Sequence, residues 1–209
     1  MIRRLAVLLL LALLALLAIP GCREDKPPVE LSPGDQELLR AKADGKIGII
    51  IKENLPSLFA GVVVFTSDAF LHQSRMLDAA NISVLNTFGN TAILQLNTPD
   101  ILPLLKEPSV KKVFYLCRQG ALARLDTPFE LDLLRRFGDG KEDRPVSFLI
   151  RFRQPPEEKD EALVEGAGFA VRVRTGLVWV VEGPLRGLPR LLESDRIQFY
   201  EYASNGGTK

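Results

Sequence analysis

Between residues 60 and 116, and again between 146 and 202, short apolar alternations give way to apolar spacings of three and four and then return. Such a switch of period predicts strand, helix, strand, strand, helix, strand in each stretch. Sliding the chain by 87 residues lays one stretch on the other without a gap. Val63-Val64-Phe65 falls on Ile150-Arg151-Phe152, Met76-Leu77 on Leu163-Val164, and Gly89 on Gly176. Ile93-Leu94 falls on Val180-Val181, Leu104-Leu105 on Leu191-Leu192, Val110 on Ile197 and Tyr115 on Tyr202. A match that holds through every element indicates two copies of one unit. The fold class expected is α+β, two tandem βαββαβ modules of the ferredoxin-like, split-βαβ kind with antiparallel sheets, each preceded by a short helix.

Local signals place the elements. In the second copy Val146 to Phe152 is a strand, Pro155-Pro156 opens a helix that ends at Gly166-Ala167-Gly168, and Thr175-Gly176 makes a two-residue turn. Gly89-Asn90 is the matching turn of the first copy, and Thr98-Pro99 supplies a cap and a first helical residue. Thr127-Pro128-Phe129-Glu130 reads as a capping box with Thr127 as N-cap. The stretch Glu37-Leu38-Leu39-Arg40…Asp44-Gly45-Lys46 reads like Asp132-Leu133-Leu134-Arg135…Asp139-Gly140-Lys141, so a helix introduces each copy. The β-branched run Ile47 to Ile51 reads as a strand, either an extra edge strand or the true first strand of copy one.

Strand parity assigns faces. In copy two Val171, Val173, Val178 and Val180 fall on one side, expected toward the helices, while Arg172, Arg174, Leu177 and Trp179 fall on the other. A Thr175-Gly176 turn sets Arg172 across from Trp179, within stacking distance. Arg151, Arg153, Tyr200 and Tyr202 are assigned to the same side, and these residue types are enriched at protein–protein hot spots. The seven are the candidate protein-binding set; the alternative is a solvated sheet face with one covered Trp. In copy one the corresponding parity holds Val62, Val64, Leu85, Leu94 and Val113, an apolar face that something must cover. The Thr127–Phe137 helix, the Ile47–Ile51 run or copy two would serve, so the copies are expected to form one body.

Ahead of the copies stands a different pattern. Arg3 and Arg4 precede 15 apolar residues from Leu5 to Ile19, then Pro20-Gly21-Cys22 and polar Arg23-Glu24-Asp25-Lys26. The apolar run falls short of the roughly 20 residues a membrane-crossing helix needs, and the layout is that of an export signal. Its Ile19-Pro20-Gly21-Cys22 ending resembles the bacterial lipoprotein signal. That resemblance implies cleavage before Cys22, a diacylglycerol on the Cys22 thiol, and a membrane anchor made of acyl chains. Arg23, where inner-membrane lipoproteins often carry Asp, implies the outer membrane, facing the periplasm. The organisation expected is a signal over 1–21, a Pro-rich tether over 22–33, a first module over 34–117, a linker with an amphipathic helix over 118–145, a second module over 146–202, and a tail over 203–209.

Composition narrows the function. Loss of Arg3 and Arg4 leaves 25 basic against 26 acidic side chains, so nucleic acid is not expected as a partner. The chain has two cysteines; with Cys22 acylated, Cys117 has no internal disulfide partner and reads as a buried thiol. The single histidine, His72, sits among polar neighbours, and no His/Cys spacing suits a metal. No phosphate loop or nucleophile–base pair appears. A non-catalytic chain without metal or cofactor is expected, apart from the lipid on Cys22.

The segments Ala162-Leu163-Val164…Gly166-Ala167-Gly168-Phe169-Ala170-Val171 and Leu191-Leu192-Glu193-Ser194-Asp195-Arg196-Ile197-Gln198-Phe199-Tyr200-Glu201 resemble the propeptide and inhibitor modules of subtilisin-like proteases. Copy one carries a weaker version, Leu105-Lys106-Glu107-Pro108-Ser109-Val110-Lys111-Lys112-Val113, with Phe114 where the family has Glu. The resemblance implies that an open sheet face docks on a protease and that a tail, here Ala203 to Lys209, enters its cleft. No catalytic domain follows in this sequence. The expectation is a lipid-anchored envelope module that binds a protein, with a subtilisin-like protease as one partner; the alternative is a structural envelope lipoprotein without a dedicated ligand.

Overall fold

A computed structural model describes residues 30–55, 57–67 and 70–203, with residues 70–74 followed in backbone only. The signal, Cys22, the tether to residue 29, the tail from 204 and the side chain of His72 lie outside that description. The chain is α+β, with two four-stranded antiparallel sheets. Two helices lead, α1 (Pro33–Lys42) and α2 (Gly45–Lys52). The first copy runs β1 (Leu58–Phe65), α3 (Phe70–Ala79), β2 (Ser83–Phe88), β3 (Thr91–Asn97), α4 (Thr98–Lys106), β4 (Val110–Arg118). After α5 (Thr127–Gly138) the second runs β5 (Pro145–Phe152), α6 (Glu158–Gly166), β6 (Ala170–Thr175), β7 (Val178–Pro184), α7 (Leu188–Leu192), β8 (Ile197–Tyr202).

The repeat extends to the ladders. Strand order is β2-β3-β1-β4 in one sheet and β6-β7-β5-β8 in the other. A register shift at Val64/Phe65 recurs at Arg151/Phe152, and one at Val84/Asn86 recurs at Val171/Val173. The second hairpin differs by one residue from the sequence expectation. Thr175 pairs with Val178, so Gly176 and Leu177 form its turn, with Gly176 at φ 56°, where a glycine has no Cβ to clash.

The Ile47–Ile51 run is not a strand. It lies in helix α2, because the Asp44 carboxylate accepts the Ile47 N–H at 2.9 Å and caps the first turn. Burial of Ile47, Ile50 and Ile51 then offsets the weak helix propensity of β-branched residues. The caps of α4 and α5 stand one residue earlier than expected, at Asn97 and Asp126; Asp126 accepts the Phe129 N–H at 2.7 Å. Asp44 and Asp126 also tie their helices to the last strand of each copy. Asp44 accepts the Tyr115 N–H at 2.6 Å, and Asp126 accepts the Tyr202 N–H at 3.2 Å. Ala43 and Leu125, just before them, make parallel bridges to Val113 and Tyr200. A helix does introduce each copy: the Asp132 segment lies in α5 and the Glu37 segment in α1, while the contacts to the closing strands make α2, not α1, the counterpart of α5.

One face of the first sheet, with Phe59, Val63, Phe65, Leu94, Leu96 and Val113, packs under helices α1 to α4 through Leu39, Ile47, Leu77, Ile101 and Leu105. Leu94 and Val113 thus lie on this side and not with Val62 and Val64, and Leu85 sits at the register shift with 43% exposure. The opposite face, Ala60, Val62, Val64 and Ile93, is covered by α5 through Leu133, Leu134 and Phe137. Helix α5 simultaneously completes the core of the second copy, where Phe129 lies 4.8 Å from Phe148. One apolar cluster runs from Val62 through α5 to Tyr200, which joins the copies as expected. No helix among the described residues is long and apolar enough to cross a membrane.

Candidate functional site

The second sheet has two unlike faces. Phe148, Ile150, Phe152, Trp179, Val181 and Tyr200 point under α5, α6 and α7 and are buried. Their neighbours along the strands, Leu149, Arg151, Val178, Val180, Glu182, Phe199 and Glu201, point to the other side, where no element of the described residues lies over them. Pairing puts Val173 beside Val180, Val180 beside Leu149, and Val178 beside Arg151, which in turn neighbours Phe199. Val173 is 51% and Phe199 36% exposed, so an apolar strip crosses the sheet. The Arg172 Nε donates to Glu182 Oε2 at 2.8 Å at one corner.

This arrangement divides the seven expected residues. Arg151 and Arg172 lie on the open face and are exposed; Arg153, just beyond β5, is exposed and donates from Nε to the Asp195 carbonyl at 3.0 Å. Trp179 and Tyr200 belong to the core, at 6% and 0% exposure. The Tyr200 hydroxyl donates to the Leu191 carbonyl at 2.6 Å, and burial pushes its pKa up. Tyr202 is half-buried on the core side. Arg174, not Arg172, pairs with Trp179; its guanidinium stands 5.3 Å from the ring centroid and also meets Glu161 of α6.

Val173, Val178 and Val180 thus exchange sides with Arg174 and Trp179, while Val171 and Arg172 lie where expected. Moving the turn by one residue changes which arginine faces Trp179, and the shift at Val171/Val173 leaves Val171 with the core and Val173 outside. The legible signal was in the first strand of the copy, where Phe148, Ile150 and Phe152 outweigh Ser147, Leu149 and Arg151 in apolar bulk. Following that parity across the sheet identifies Leu149, Val173, Val178, Val180 and Phe199, which the arginine-and-aromatic criterion misses.

Two further ionisable groups are held inside the fold. Asp160, 1% exposed, accepts from Arg196 at 2.6 and 2.7 Å; burial alone would raise its pKa, and the guanidinium outweighs that and lowers it. Cys117 is buried, and desolvation pushes its thiol up to about 12, far from thiolate chemistry. Among the described residues no group of His, Cys, Asp and Glu is placed to hold a metal. No family model, curated protein or solved structure matches the chain.

Proposed function

We propose that the chain is a lipid-anchored, non-catalytic envelope protein that binds a protein partner through the open face of its second sheet. One observation carries the proposal: equivalent faces of the two copies are treated differently. Val62 and Ile93 lie beneath α5, whereas Leu149 and Val180, their counterparts in the second copy, have no cover among the described residues. An uncovered apolar strip edged by Arg151 and Arg172 has the composition of a recognition surface. The βαββαβ order and the β2-β3-β1-β4 arrangement support assigning each copy to the ferredoxin-like class. The export-type segment ending in Cys22 supports the anchor, which would sit in the outer membrane and face the periplasm. Resemblance of the second copy to protease propeptides nominates a subtilisin-like protease as partner.

The test is a photo-crosslinking residue at Val173 in the envelope-bound chain. A discrete protein adduct that disappears with Phe199→Asp is expected. Absence of adducts, or adducts indifferent to Phe199→Asp, would overturn the docking face. Such a result would favour the second reading, a structural lipoprotein whose copies bury each other, which the continuous core through α5 supports. Full activity of a subtilisin-type protease in excess chain would remove that partner alone.

A further inference from the structure

A concave surface lies where the two copies meet, lined by none of the residues of the open sheet face. It is a cleft of about 590 Å³ built from both: Asp44 and Lys46 at the start of α2, Phe114 and Tyr115 on β4, Phe137 at the end of α5, and Arg186, Pro189, Arg190 and Glu193 around α7. That volume lies in the range of small-ligand sites. Phe114 and Phe137 meet edge to face at 4.8 Å and, with Pro189, give the cleft an apolar floor.

Its charges are matched except for one. Asp44 spends its two oxygens on the Ile47 and Tyr115 N–H groups. Lys46 pairs with Glu193 at 3.3 Å and stands 5.3 Å from the Tyr115 ring centroid. Arg186 is held by Glu142 at 2.9 Å and Asp143 at 2.8 Å. Arg190 has no carboxylate partner among the described residues; its Nη1 donates to the Gly166 carbonyl at 2.5 Å. The guanidinium lies close over Gly166, where a Cβ would stand 3.1 Å from Nη2, so the absence of a side chain there admits it. A cleft lined both by aromatic rings and by an arginine without a carboxylate partner is complementary to a carboxylate carried on an apolar body.

We propose that this cleft binds an apolar ligand ending in a carboxylate, with Phe114, Phe137 and Pro189 against its body and Arg190 on its charge. A fatty acid and a protein C-terminus share that chemistry. The probes are octanoate and acetyl-Ala-Leu-Phe as free acids, each beside its neutral amide, titrated into the full chain by calorimetry and by amide chemical shifts. The free acids are expected to bind at least about tenfold more tightly than their amides, because a charge-assisted hydrogen bond is lost with the charge. Shifts are expected at Lys46, Phe114, Tyr115 and Arg190. Arg190→Gln should abolish the preference for acid over amide while leaving amide binding unchanged, a pattern that a loss of folding would not produce. Tighter binding of octanoate points to a fatty acid, tighter binding of the peptide to a chain terminus, and either supports the site. Equal affinity of acid and amide for the native chain, shifts confined to other surfaces, or an acid preference that survives Arg190→Gln would overturn it. So would failure of both acids to bind at millimolar concentration. None of these outcomes bears on the open sheet face.

Discussion

Single side chains here separate packing from recognition. Trp179 contacts Phe152 edge to face at 4.8 Å in the second core, so Trp179→Ala is expected to cost about 3–5 kcal/mol in denaturant unfolding. Phe199→Ala on the open face should cost less than about 1 kcal/mol by the same measurement, since its ring is already part-exposed. Asp160 and Arg196 make the other residue-scale case. Asp160→Asn leaves Arg196 without its buried partner and should cost about 3 kcal/mol at pH 7. The folded pKa of Asp160 lies below its unfolded value near 3.9, so its contribution is complete above that value and is lost as pH falls through the folded pKa. The stability gap between native chain and Asp160→Asn should therefore be constant above about pH 5 and narrow below about pH 4.

At the scale of elements, the two aspartates that start α2 and α5 do the same task twice. Each caps a helix and binds an N–H of the closing strand, so Asp44→Ala and Asp126→Ala are each expected to cost about 1–2 kcal/mol or more, read from urea midpoints. Exchange of the Tyr115 or Tyr202 amide hydrogen should accelerate in the matching variant. The repeat, every strand of both copies and the helix over 127–138 were legible from period and punctuation, because each copy confirms the other. The Ile47–Ile51 run was not, since four isoleucines around Gly48 have strand character and the core that buries Ile47, Ile50 and Ile51 in a helix comes from elements remote in sequence. The candidate face was half legible. Alternation separates the two sides of a strand correctly, but which side is buried depends on the neighbouring strands, and the irregularity at Val171/Val173 has no sequence signature.

For the molecule as a whole, α5 belongs to both copies, and the chain should unfold in one cooperative transition, with Trp179 fluorescence and far-UV circular dichroism giving coincident urea midpoints. Two separated transitions would mean that α5 does not couple the copies. A first copy cut before Thr127 would expose Val62, Val64 and Ile93 and should associate in solution. Cys117, sealed inside this shared core with its thiol pushed up to about 12, has a practical corollary. Maleimide dyes react with thiolate, so Cys117 should be blank to them at neutral pH, and in a chain whose Cys22 carries the proposed lipid a cysteine placed at Val173 would be the site to take a fluorophore.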